Sequence, residues 1–189
     1  MARWRPNASE RLAHSALELF AERGYENTTV IDIAQRAGLG KTTFFRYFQD
    51  KREVLFGGGT MNDLLAEGIA AAPAAATPLE AVAHALDAAG GQVFTPERRE
   101  FVARRSAVIA ANPELQEREA LKAMGLTESM AQALMRRDVP ELTARVSAQM
   151  GALASKIALD RWTDAATGDY ADMARQALAE VKAASGSIR

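Results

Sequence analysis

The sequence predicts an all-α protein, and three observations predict it. Alanine supplies 40 of the 189 residues, and the other strong helix formers Leu, Arg and Glu dominate much of the remainder. Apolar residues recur at three-to-five spacing along most of the chain, which is the stripe a helix needs to bury one face. Nowhere do apolar and polar residues alternate as a half-buried strand requires. The length suits one domain or two small ones sharing a core, and 48% hydrophobic with 25% charged residues is a globular balance.

The first helix starts behind Pro6, with Asn7 or Ser9 as its cap and Leu12, Ala16, Leu17 and Phe20 on its apolar face; Gly24 stops it. Thr28 and Thr29 offer a cap to a short helix over Val30–Ala37, which carries Val30, Ile33, Ala34 and Ala37 on one side and ends at Gly38. A third helix runs from about Lys41 to Phe48, with Leu39, Phe44 and Phe48 pointing back at the first two. After Gln49 and Asp50 the pattern resumes near Lys51 and passes Val54, Leu65 and Ile69, interrupted by Gly57, Gly58 and Gly59. Those glycines fit either a hinge or the close packing of another helix. The alanine- and proline-rich segment 70–78 reads as a connector. Pro78, Pro96, Pro113 and Pro140 then precede helices at Leu79–Ala89, Glu97–Ala111, Glu114–Arg137, Glu141–Thr163 and, after a further break, Tyr170–Ala184.

With no cysteine, disulfides and thiolate chemistry are excluded, and with His14 and His84 as the only histidines no metal or other cofactor is expected. An enzyme would need a nucleophile–base pair or a carboxylate cluster, and no spacing proposes one. No apolar run reaches membrane-spanning length and the opening MARWRP carries no signal-length run, so a soluble cytoplasmic protein is expected. The charge is uneven. Residues 1–52 hold nine Lys/Arg against six Asp/Glu, and the remainder fourteen against eighteen, which points to an N-terminal module that meets a polyanion.

Two short helices joined by a tight glycine turn, the second with a polar face, fit a helix-turn-helix over about residues 29–48. Lys41, Thr42, Thr43, Phe45, Arg46 and Tyr47 form a mixture suited to base edges and phosphates, and Arg3, Arg5 and Lys51 add cations for the backbone. The run TTVIDIAQRAGLGKTTFFRYFQDK, Thr28–Lys51, resembles the DNA-binding signature of TetR-type one-component regulators, and the preceding ALELFAERGYENTTV matches their first helix. Phe20, Gly24, Ile33, Ala34, Ala37, Gly38, Lys41, Thr43, Phe48 and Lys51 all fall in register, over the first third of the chain.

The resemblance implies a homodimer on a palindromic double-stranded operator, with no enzymatic activity. A DNA-binding domain over 8–68 would be followed by a helical body over 69–189 that binds a small effector and dimerises through its last two helices. Its implied DNA-contacting set is Thr28, Thr29, Gly40, Lys41, Thr42, Thr43, Phe45, Tyr47 and Lys51. Gly40 stands where the family usually has a capping serine, and Phe45 where it has a tyrosine whose hydroxyl meets a phosphate. Tyr47, where histidine is common, supplies a hydroxyl, and Thr42, where glycine is common, adds a methyl that can read thymine.

In the body, Arg105 falls at the centre of a stripe formed by Phe101, Val102, Val108 and Ile109, with Arg98 nearby. A charge there needs either an internal carboxylate or an anionic ligand. With Met130 these give a candidate ligand set of Arg98, Phe101, Arg105 and Met130. The run RRSAVIAANPEL is similar to a subgroup that includes the mycofactocin regulator, which implies an effector resembling a fatty acyl-CoA. The helix from Glu141 is large and apolar on one side (Leu142, Val146, Met150, Leu153, Ile157) and small on the other (Ala144, Ser147, Ala148, Gly151, Ser155, Ala158). The last helix shows a stripe of Tyr170, Met173, Ala174, Ala177, Leu178 and Val181. Together they suit a dimeric four-helix bundle, and a monomer core would use the same pattern. The rival to a ligand-responsive regulator is a helical architectural protein that binds DNA without an effector.

Overall fold

The computed structural model describes residues 7–57 and 60–187, and among these there are helices and turns but no strand. In chain order the helices are α1 (Ala8–Arg23), α2 (Val30–Arg36), α3 (Lys41–Tyr47), α4 (Thr60–Ala71), α5 (Pro78–Gln92), α6 (Arg99–Ala110), α7 (Pro113–Met135), α8 (Glu141–Asp164) and α9 (Tyr170–Gly186). Short 3-10 turns at Arg52–Leu55 and Pro96–Arg98 precede α4 and α6. Arg3, Arg5, Gly58 and Gly59 lie outside the described residues.

One device starts three of the helices. Asn7, Thr29 and Thr77 each accept a bond from the backbone N–H three residues on, and Glu10, Asp32 and Glu80 accept one back from the capping residue's own N–H. Two orphan donors are satisfied at each start, and a lost cap of this kind costs about 1 kcal/mol. The helical pattern expected to resume near Lys51 is instead the 3-10 turn Arg52–Leu55, followed at Gly57 by a φ of +63° that only glycine adopts without strain. The expected helix from Glu97 likewise begins as a 3-10 turn, and α6 proper starts at Arg99.

Contacts divide the chain into two compact units, residues 1–58 with 103–119, and residues 59–102 with 120–189. This differs from the division at residue 68 suggested by the sequence: α4 belongs wholly to the second unit, and the α6–α7 elbow belongs to the first. In the first unit Leu12, Ala16, Phe20, Ile33, Ala34, Phe44 and Phe48 are buried where α1 meets α2 and α3. Each large side chain buried this way contributes about 1.5–3 kcal/mol.

The core of the second unit draws Leu65 and Ile69 from α4, Val82 and Leu86 from α5, Ala148 and Trp162 from α8, and Tyr170 and Ala174 from α9. Glycine permits the closest approaches. A Cβ at Gly68 would lie 2.6 Å from the Ala85 Cα, and one at Gly151 would collide with the Val82 side chain. The small face of α8 therefore turns inward, with Ala144, Ser147, Ala148 and Gly151 buried, and its large aliphatics Leu142, Val146 and Leu153 are left 76%, 50% and 52% exposed. Arg137 closes the far end of α4 by donating to the carbonyls of Ile69 and Ala72 at 3.1 and 2.8 Å. No described helix is long and apolar enough to cross a membrane.

Candidate nucleic-acid interface

The turn between α2 and α3 is set by Gly38 at φ +65° and by the Leu39 N–H, which returns to the Ala34 carbonyl at 2.8 Å. Gly40 then caps α3 with no side-chain bond, so the first turn of α3 lacks the anchor that a serine would give. Phe44, fully buried, and Phe48 fix the inner face of α3. At about 100° per residue, Lys41, Phe45, Thr42 and Arg46 follow one another around an arc of about 140°, and all four are exposed. Tyr47 is 44% exposed but lies about 100° beyond Arg46, off that arc.

The basic residues of 7–57 separate sharply by what they bind. Arg11 donates to the Ala37 carbonyl at the end of α2. Arg23 pairs with Asp32 at 3.2 Å, and Arg36 with Glu22 at 2.7 Å and Glu18 at 3.3 Å. Arg52 meets Asp50 at 2.8 Å and Glu114 at 3.5 Å. Lys41 and Arg46 have no carboxylate or hydrogen-bond partner among the described residues. Their cations lie over aromatic rings of the same helix, Lys41 at 5.8 Å from the Phe45 centroid and Arg46 at 5.2 Å from Tyr47. The pairings also show in the carboxyl groups. Hydrogen bonds from Thr29, helped by Arg23, hold Asp32 below the usual range, and the Arg36 guanidinium does the same for Glu22.

Two residues of the expected set have partners within the unit. Thr28 is 1% exposed and its hydroxyl donates inward, to the Gly24 and Leu19 carbonyls at 2.9 and 3.4 Å, so it presents nothing to a ligand. Lys51 donates to the Tyr25 carbonyl at 2.8 Å and sits 3.8 Å from the Tyr25 ring centroid, so its ammonium is held by the scaffold. Thr29 is exposed and occupied with Asp32, and Thr43 is half-buried. Arg46 lies on the exposed arc although it is absent from the set that the family resemblance implies. Its place four residues after Thr42 on a short helix was the available signal.

The four candidate ligand residues do not gather in either unit. Arg98 is exposed, Phe101 half-buried and Met130 fully buried, all in the second unit. Arg105 belongs to the first, where its Nε donates to the Leu55 carbonyl at 2.6 Å, one terminal nitrogen reaches Glu119 at 3.2 Å, and the guanidinium stacks 5.0 Å from the Phe56 centroid. Of the two partners left open for this charge, the carboxylate is the one in place. Burial pushes the Arg105 guanidinium below its ordinary pKa, and Glu119 opposes the shift. A second ion pair, Arg118 with Glu53, joins the same elbow to the 3-10 turn. The described residues hold no group of three potential metal ligands.

Known proteins align with this arrangement. The family described as bacterial regulatory proteins, tetR family, matches residues 12–57. The transcriptional regulator TcmR of Streptomyces glaucescens is 38% identical over 85 residues, 44% of this chain and 38% of TcmR. MftR of Mycobacterium tuberculosis, named as a mycofactocin biosynthesis transcriptional regulator, is 35% identical over 57 residues, 30% of this chain and 29% of MftR. The matched segments thus span less than two fifths of either relative. The crystal structure of a transcriptional regulator from Aquifex aeolicus superposes with a TM-score of 0.56 at 16% identity, covering 93% of this chain and 98% of that one, which shows a shared fold.

Proposed function

The chain belongs to the TetR family of bacterial regulatory proteins, a family of regulators and not of enzymes, and from that premise we propose that it is a cytoplasmic transcriptional repressor that binds a palindromic operator as a homodimer. The observation that carries the reading is the α3 arc, where Lys41 and Arg46 are the cations of 7–57 with neither a carboxylate nor a hydrogen-bond partner among the described residues. A helix presenting such cations beside polar and apolar groups suits the major groove, where phosphates lie at the edges and base edges between. Two such helices in a dimer would read half-sites about 34–36 Å apart or a multiple of that span.

The exposed aliphatics of α8 support the dimer. Leu142, Val146 and Leu153 recur at helical spacing on a helix whose other face is already buried, and a second copy of the same face would cover them in a four-helix arrangement with α9. The effector is proposed to bind the second unit near Phe101 and Met130, with Arg98 offering the exposed cation for an anionic head. That chemistry is an apolar tail with an acid or acyl-thioester group, and its binding would favour a dimer geometry that no longer fits the operator.

Selection of bound duplexes from a random DNA library tests the reading. A single palindromic sequence should be enriched, and fatty acids or acyl-CoA thioesters should both raise the melting temperature and release that duplex. Enrichment of no sequence would contradict operator binding. Release by none of these amphiphiles would contradict the effector chemistry alone.

A further inference from the structure

We propose that Phe45 is a specificity-determining residue whose ring packs on the C5-methyl group of one thymine in each operator half-site. The inference rests on α3 being the major-groove helix, and it concerns what that helix recognises. Phe20, Phe44 and Phe48 of the same unit are buried, whereas Phe45 is 47% exposed. The ring is nevertheless held. It stands edge-to-face on the fully buried Phe44, with centroids 5.5 Å apart and planes at 78°, so the exposed part is presented by a fixed support.

Its neighbours say what it faces. On the α3 arc Phe45 has Lys41 on one side and Thr42 then Arg46 on the other, and these two cations have no carboxylate partner among the described residues. When the cations reach phosphates, the ring between them is left against base edges. Among the groups that base pairs show in the major groove, the thymine methyl is the apolar one. Phe45 has no hydroxyl for a phosphate, so apolar contact is what its side chain can offer. Thr42 carries a competing methyl, but a smaller one beside a hydroxyl that prefers polar partners.

The test uses the operator selected by the full chain. Each thymine is replaced in turn by deoxyuridine, which removes the methyl and leaves the base pairing intact, and affinities are read by fluorescence anisotropy. One thymine per half-site should weaken wild-type binding about fourfold, the effect of one methyl-sized group removed from an apolar contact. The same replacement should be silent in Phe45→Ala and partly retained in Phe45→Leu, with melting curves verifying that both variants fold. An operator with no uracil-sensitive thymine, or a sensitivity that survives Phe45→Ala and disappears in Thr42→Ser, would overturn the inference while leaving operator binding intact. Failure to enrich any duplex would overturn the operator reading and this inference with it.

Discussion

In the segment 7–57 of the first unit nearly every guanidinium is committed to the protein's own oxygens, and the groups left over on α3 are two cations around an aromatic ring. In the second unit the conspicuous groups left over are aliphatic, on the outer face of α8, while most of its arginines cap carbonyls or pair, as Arg161 does with Glu180 at 2.7 Å and Arg175 with Asp87 at 2.6 Å. Unpaired charge suits a polyanion and unpaired aliphatic surface suits another apolar face. The difference teaches that the two units are incomplete in different chemical ways. Neither the net charge of −1 nor the overall hydrophobicity would show it.

The largest expected effect separates support from contact within α3. Phe44→Ala should lower stability by about 3–5 kcal/mol in urea denaturation, whereas Phe45→Ala, one residue on, should stay within about 0.5 kcal/mol of wild type. Next comes the α8 face. Leu142→Glu combined with Val146→Glu should give a folded monomer in sedimentation and reduce operator affinity by at least about tenfold, because the two half-sites are no longer bound by one linked pair. If that variant stays dimeric, the leftover aliphatics serve something other than self-association.

Arg105→Met should cost about 1–3 kcal/mol of stability through removal of the bonds to Leu55 and Glu119, and should leave amphiphile binding by the second unit unchanged. Among the cations, Lys41→Ala and Arg46→Ala should each reduce the salt dependence of DNA binding, by about 0.9 in log–log slope for each phosphate that is no longer neutralised. Lys51→Ala should instead cost stability and leave that slope unchanged, since Tyr25 holds its ammonium.

The smallest effect appears only at alkaline pH. Burial pushes the Tyr170 phenol up from 10.0 to about 12, against a bond to Ser155 that lowers it. A raised value in the folded chain means that the protonated phenol contributes stability fully below pH 10, lost as pH rises towards 12. Tyr170→Phe should flatten that limb of a stability profile.

The parts that were legible in the sequence are those fixed by near neighbours. Asn7 and Thr29 are caps because their partners stand three residues on, and Gly38 marks the turn because the backbone there needs positive φ. The starts expected at Val30, Lys41, Glu141 and Tyr170 coincide with the helices observed. The parts that were not legible depend on distant partners. Thr28 and Thr29 are the same residue type side by side, and only the packing of α1 decides which hydroxyl is buried. Nothing near Lys51 in the sequence announces its bond to the Tyr25 carbonyl, 26 residues earlier. Arg105 marks a pocket by periodicity, yet its carboxylate lies across the α6–α7 turn. The helix from Glu141 is apolar on both sides, and the contact between Gly151 and Val82 determines which side faces inward.

The proposed operator binding places the DNA-recognising face on α3. Its most direct test is an anisotropy titration of the selected operator with wild type and with the Lys41→Ala, Thr42→Ala, Arg46→Ala variant, at equal salt and with both proteins verified as folded dimers. Two wild-type chains should bind per half-site pair, and the affinity of the variant for the operator should fall to that for unrelated duplex DNA. A folded variant that keeps wild-type affinity for the operator would contradict the placement of that face on α3.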